Sequence, residues 1–190
     1  MENRNKYVKV MFGDESRAGN VPFKYKIGEI NTASDWDFNN KQNPGGFNFS
    51  TESKIARWLV RGDTLYDVII PDDAEVVEIE SESAPHGVFR TNKIILVNPT
   101  QVTDKVALDL YYKSELPDKS YFKTIAGYSV RGYINAAKII IKERVNKNNI
   151  ELAISEFEDF YTPRDKKVFD ESYKEESEIY KLLLEIKNRN

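Results

Sequence analysis

Up to about residue 112 the apolar positions come in short runs of β-branched and aromatic residues, each cut off by turn formers. Tyr7-Val-Lys-Val-Met-Phe12 runs into Gly13-Asp14, Pro22-Phe-Lys-Tyr-Lys-Ile27 runs into Gly28, and Phe47-Asn-Phe49 follows Pro44-Gly45-Gly46. Each predicts a short strand. Thr64-Leu-Tyr-Asp-Val-Ile-Ile70 and Glu75-Val-Val-Glu-Ile79 flank Pro71-Asp72-Asp73-Ala74. There the proline presets φ and the aspartates can bond local backbone, so the stretch predicts a strand, a turn and a strand. Ser50-Thr51-Glu52 precedes Ile55-Ala-Arg-Trp-Leu59, the pattern of a short helix with a hydroxyl to cap it and Gly62 to end it. A further strand, Lys93-Ile-Ile-Leu-Val97, is expected to stop at Asn98-Pro99.

After Pro117 the period becomes helical. Ser120 to Ile125 predicts one or two turns, and Val130 to Val145 places Ile134, Ala137, Ile141 and Val145 on one stripe. Asn146-Lys-Asn-Asn149 breaks that helix, and Asn149 can cap the next, with Ile150, Ala153, Ile154 and Phe157 on one face ahead of Thr162-Pro163. A last helix is expected over roughly Lys166 to Lys187, with Phe169, Tyr173, Ile179, Leu183 and Ile186 as its apolar positions. The fold class is therefore α+β: a β-rich part over 1–112 with one short helix, and a helical part of about three helices over 113–190 that packs on it, as two domains or as one. No internal repeat and no low-complexity tract is visible.

Composition narrows the chemistry. With 40% hydrophobic and 12% aromatic residues among 190, the chain has material for a core. It has no cysteine and one histidine, which removes disulfides, thiolate zinc sites, cysteine nucleophiles and any metal site needing two imidazoles; no metal is expected. No run approaches the ~18 apolar residues of a membrane span, and Met1-Glu-Asn-Arg-Asn-Lys-Tyr7 lacks the apolar stretch of a secretory signal, so a cytoplasmic protein is expected. The net charge of −3 hides a segregation. Residues 64–87 hold seven acids (Asp67, Asp72, Asp73, Glu75, Glu78, Glu80 and Glu82) and no Lys or Arg, a charge of −7, whereas 113–147 carries +5.

Four phrases occur in order: Phe23-Lys-Tyr-Lys-Ile-Gly28, Gly45-Gly-Phe-Asn-Phe-Ser-Thr51, Ile70-Pro-Asp-Asp-Ala74 and Lys93-Ile-Ile-Leu96. Together they resemble an uncharacterised small domain of large DNA viruses and phages, over about 75 of the 190 residues. The resemblance implies a viral or phage-type protein of the host cytoplasm, and no particular chemistry.

Gly46-Phe-Asn-Phe-Ser-Thr51 is also similar to the aromatic-x-Ser-Thr-Ser strand of ADP-ribosyltransferases, with Glu52 where the third serine would stand. That similarity implies NAD as cofactor, Ser50 supporting the nicotinamide ribose, Arg17 holding the diphosphate, and Glu78 or Glu80 stabilising the oxocarbenium-like sugar. The alternative for the same residues is a capped helix beside a solvated acidic strand, and this is the favoured reading, with no catalytic set and no cofactor. His86, in Ala84-Pro-His-Gly87, has the composition of an exposed loop. Arg61-Gly-Asp63 fits a helix-ending turn, Asn48-Phe-Ser50 has the glycosylation pattern without an export signal, and Gly45-Gly46 lacks the Gly-Lys-Ser/Thr sequel of a phosphate loop and fits a tight turn.

Dense carboxylates on a strand pair can imitate a nucleic-acid backbone or cover a basic groove, so Asp67, Asp72, Asp73, Glu75, Glu78, Glu80 and Glu82 are the candidate binding residues. The alternative is the solvent face of a half-buried hairpin. The basic segment 113–147, interleaved with Tyr121, Phe122, Tyr128 and Tyr133, has the composition of a nucleic-acid surface, or else faces the acidic strands of its own chain. The leading expectation is a non-enzymatic accessory protein that binds and inhibits or redirects a host protein or ribonucleoprotein complex, with no membrane partner. The transferase and the nucleic-acid binder are the alternatives.

Overall fold

The computed structural model of the protein describes residues 6–18, 21–40, 43–80, 85–160 and 175–189, with backbone alone at 17–18 and 21–22. The strands are β1 (Tyr7–Met11), β2 (Glu15–Ala18), β3 (Val21–Lys24), β4 (Ile30–Thr32), β5 (Phe47–Thr51), β6 (Thr64–Ile69), β7 (Val76–Glu78), β8 (Val88–Thr91) and β9 (Lys93–Gln101). A 3-10 helix (Ile55–Arg61) lies between β5 and β6. The helices α1 (Asp104–Tyr112), α2 (Asp118–Arg131), α3 (Ile134–Arg144), α4 (Ile150–Phe160) and α5 (Glu178–Arg189) follow. The class is α+β, as the change of period requires.

Seven strands form one antiparallel sheet in the order β4-β9-β6-β1-β5-β8-β7, and β2 pairs with β3 in a small second sheet. Only Asn92 separates β8 from β9, so the second and sixth members of the order are halves of one bent strand. A sheet with that property must roll back towards itself. Its inside is filled by Met11, Tyr25, Phe47, Phe49, Tyr66, Val68, Ile94 and Leu96. Rings dominate this filling: Phe49 stacks on Phe89 at 5.2 Å, and Tyr7 meets Phe49 edge-on at the same distance.

The alternation along β1 assigns the outer face. Val8 and Val10, with Leu65 of β6, belong to the second core, built with Ile55 and Leu59 of the 3-10 helix and the buried stripes of α1 to α5. Leu59 is fully buried, so Leu59→Ala would cost about 2–5 kcal/mol. The end of the 3-10 helix is pinned by Gly62, where an added Cβ would lie 2.2 Å from the Met11 carbonyl carbon.

Several expectations change in detail. Both strands around Pro71–Ala74 form, and Ala74 N–H does bond to Pro71 O at 3.0 Å, but β6 and β7 do not pair with each other. Each pairs with half of the bent β8–β9 strand, β6 with β9 and β7 with β8, so 70–75 is a corner between two strands that are not neighbours. The helix at Ile55 is a 3-10 helix whose N-cap is Lys54, with no side-chain cap, and Gly62 leaves it in extended conformation. β9 does not stop at Asn98-Pro99: Asn98 takes φ 53°, and between the pairs Leu65–Thr100 and Asp67–Val97 one extra residue on the β9 side absorbs the irregularity.

The helical part begins earlier than expected, at α1, where the Thr103 hydroxyl accepts from Val106 N–H. The stripe from Val130 to Val145 is interrupted at Gly132, whose φ of 76° closes α2. Gly132 N–H bonds to Ser129 O and Tyr133 N–H to Tyr128 O, the two bonds of a Schellman motif. The α4 stripe of Ile150, Ala153, Ile154 and Phe157 is buried as expected. The last helix is seen over α5, and its expected start at 166–174 lies outside the described residues.

Candidate functional site

Cross-strand partners share a face, so the register fixes what the bare end of the outer face presents. Ile30 of β4 stands opposite Ile95 of β9, and Ile95 stands opposite Ile69 of β6. The three isoleucines make one row across three strands, with Ile30 56% and Ile69 49% exposed. Among the described residues the helices cover the same face further along β6, at Leu65, and do not pack on this end.

An ion pair borders the row on each side. One step along, Val97 faces Asp67, whose Oδ1 is 2.7 Å from Lys6 Nζ and whose Oδ2 accepts from Asn98 Nδ2 at 3.0 Å. Partial burial pushes the Asp67 carboxyl up, but the bonds from Lys6 and Asn98 outweigh it and hold the group below its ordinary value. On the other side, Lys93 pairs with Asp73, and that bond lowers the Asp73 carboxyl. The corner continues the acidic border. Glu75 Oε2 accepts from Trp36 Nε1 at 2.6 Å and its N–H donates to Asn92 Oδ1 at 2.9 Å, while Asp72 is exposed. Glu78 Oε1 accepts from Gly87 N–H at 2.8 Å and lies 3.8 Å from His86 Nδ1. Glu80 is exposed, and Glu82 lies outside the described residues. The acids thus follow the bent β6–β7 path; Asp67 and Asp73 flank the isoleucine row, and Glu78 and Glu80 lie on and beyond the far edge strand.

The residues of the transferase reading are not brought together. Ser50 is 2% exposed, donates to Thr51 O, and stands in register with Val8 of the helix-covered face. Glu78 stands in register with Phe89, whose ring packs on the interior of the roll, so Ser50 and Glu78 lie on opposite faces. Arg17 sits in the separate β2–β3 sheet, opposite Pro22.

The rings of the basic segment are equally committed: Tyr121, Phe122, Tyr128 and Tyr133 are all buried in the core. Five of its bases pair elsewhere than with 64–87, Lys113 with Glu52, Lys119 and Lys123 with Glu156, Lys138 with Glu178, and Arg144 with Asp118. Among the described residues no group of three or more His, Asp or Glu is arranged to hold a metal ion, and no helix is long and apolar enough to cross a membrane. Gly45 and Gly46 take the positive φ of 69° and 67°, but the expected tight turn between two paired strands is not formed, since the flanking β4 and β5 are not neighbours in the sheet. Asp63 accepts from Gly13 N–H and Thr64 Oγ1, a structural role for the end of Arg61-Gly-Asp63.

Sequence reasoning missed the isoleucine row, because Ile30 sits in a strand of three residues, too short to show an alternation. The one available signal was the pair Ile94-Ile95, of which only one member can face a core. No family model, no curated protein and no solved structure matches the chain.

Proposed function

We propose that this chain is an accessory protein that binds a host protein, alone or within a ribonucleoprotein complex, through the outer face of β4-β9-β6, and inhibits or redirects it. The observation that carries this reading is the in-register row Ile30–Ile95–Ile69, left bare on a face whose other end is covered by helices. The chemistry of the partner follows from the border. Apolar side chains fill the row, and Lys or Arg beside them complement Asp72, Asp73 and Glu75 at the corner. The viral or phage-type character rests on the four short phrases shared with that domain. Neither alternative is carried forward, since Ser50 and Glu78 face apart and the four rings of 113–147 are buried.

The test is capture of a partner from host lysate by tagged wild-type protein, by Ile30→Asp/Ile69→Asp and by Asp72→Asn/Asp73→Asn/Glu75→Gln. A stoichiometric protein partner is expected on the wild type, absent from the isoleucine variant and weakened in the acid variant. A partner held equally by all three proteins places binding on another surface and ends this reading. Wild-type self-association lost in the isoleucine variant would assign the row to a second copy instead.

A further inference from the structure

On the helical side, two adjacent side chains each hold a buried N–H that has no acceptor among the described residues. Arg57 lies on the 3-10 helix between two rings, its Cζ 5.3 Å from the Trp58 centroid and 5.5 Å from that of Phe160 at the end of α4. Among the described residues neither its Nε nor Nε1 of the adjacent Trp58, both buried, has an acceptor. The carboxylate nearest in effect, Glu156, acts on Arg57 through space; its Oε1 is 2.9 Å from Lys119 Nζ, and its Oε2 lies 3.3 Å from Lys123 Nζ but makes no hydrogen bond among the described residues. Arg61, one turn further on, adds another positive charge that Arg57 feels. Burial first, then Arg61, lower the Arg57 guanidinium to about 10, the mark of a charge held out of water without full compensation.

Guanidinium and indole N–H groups donate and never accept, so what completes them is a group that only accepts. We infer that Arg57 and Trp58 form a site for an oxyanion, a carboxylate or a phosphate, presented at the junction of the 3-10 helix and α4. The planar fork of Arg57 suits two oxygens at once, the rings hold the fork in orientation, and the indole N–H supplies a further bond. Lys119 and Lys123 offset Glu156, so the junction keeps the positive excess that an anion needs. This site is independent of the isoleucine row.

The test follows the indole N–H resonances of the full chain by NMR, with Trp58→Phe assigning the two tryptophan signals. Inorganic phosphate, acetate and chloride are titrated at matched ionic strength. The Trp58 signal is expected to shift saturably with phosphate, acetate or both, and not with chloride, while the Trp36 signal stays in place. Phosphate or acetate as the active anion then tells which source the site takes. Arg57→Met is expected to weaken the apparent affinity roughly 10-fold or more, and Arg57→Lys, which keeps the charge and loses the fork, by a smaller factor. A Trp58 signal that responds to phosphate and acetate no more than to chloride overturns the inference. So does an Arg57→Lys protein that titrates like the wild type.

Discussion

Lys9 Nζ donates to both the main-chain carbonyl and the side-chain Oδ1 of Asn48, each at 2.7 Å. Lys9 is 3% exposed and lies between Val8 and Val10, which face the helices, so its stem runs into the aromatic interior of the roll. The ammonium is 5.4 Å from the Tyr25 centroid. Neutral oxygens and a ring face are its compensation, and the nearby Arg90 charge works against it. Burial, and then Arg90, lower the amine to about 7.

A lysine lowered on folding makes stability rise with pH. Between about 7 and its ordinary 10.5, the unfolded chain binds a proton that the folded chain has shed. The penalty for folding with a buried ammonium is absent above that window and complete below about pH 7, on the order of a few kcal/mol. Lys9→Met is therefore expected to flatten the rise in urea-unfolding free energy between pH 7 and 10 and to stabilise the protein at pH 7. Asn48 is exposed, so water can take over its freed oxygens. An unchanged pH slope in the variant would place the titration on another group.

Lys9 also shows why the sequence was only partly legible. The alternation of Tyr7-Val-Lys-Val-Met specified a strand, and β1 is that strand, but a lysine between valines reads as the solvent face of a half-buried sheet. Only the roll, closed by the bend at Asn92, converts that face into an interior. Local signals did specify the helices with full stripes, α4 above all. Pairing of β6 and β7 with the two halves of one strand depends on contacts far apart in sequence, which periodicity does not encode. The same holds for the site. The acids were legible as a cluster, whereas the isoleucine row exists only through the register of β4, β9 and β6. Ser50 and Glu78 looked compatible in spacing, and the register separates them.

Two glycines should respond to alanine for different reasons. At Gly46, φ is 67° and a Cβ would meet Thr91 O at 2.5 Å and the Trp36 ring at 2.6 Å, so backbone strain and collision add. At Gly62 the backbone is extended, and the whole effect comes from the Met11 main chain, which cannot rotate away. Both variants are expected to lose about 2–4 kcal/mol in denaturant unfolding. Gly62→Ala should also loosen amide-exchange protection where the 3-10 helix leans on β1, a change that Gly46→Ala should not cause.

Glu156 is the buried carboxylate whose loss should spread furthest. It is 2% exposed and answers Lys119, Lys123 and, through space, Arg57. Glu156→Gln keeps the shape and removes the charge, leaving three cations on one side of the α2–α4 contact. A loss of about 2–3 kcal/mol is expected, moderated by the partial exposure of both lysines. Adding Lys123→Met should return part of that loss. A double-mutant cycle with a coupling near zero would show that the pair acts independently.

The isoleucine row and its acidic border should contribute to different rate constants. Once the partner is isolated, Asp72→Asn/Asp73→Asn/Glu75→Gln is expected to slow association several-fold at low salt and to lose that effect at high salt, because these exposed charges act by steering. Ile69→Asp removes apolar contact from an exposed end of the row and puts a charge there, so it should speed dissociation by about 10-fold or more at every ionic strength. Ile69 is exposed, so its replacement should leave folding stability within about 1 kcal/mol of the wild type. Kinetics by surface plasmon resonance at two salt concentrations separate the two contributions. If the isoleucine and acid variants showed the same salt-dependent loss of association rate, binding would be governed by charge alone, and the apolar row would have no part in it.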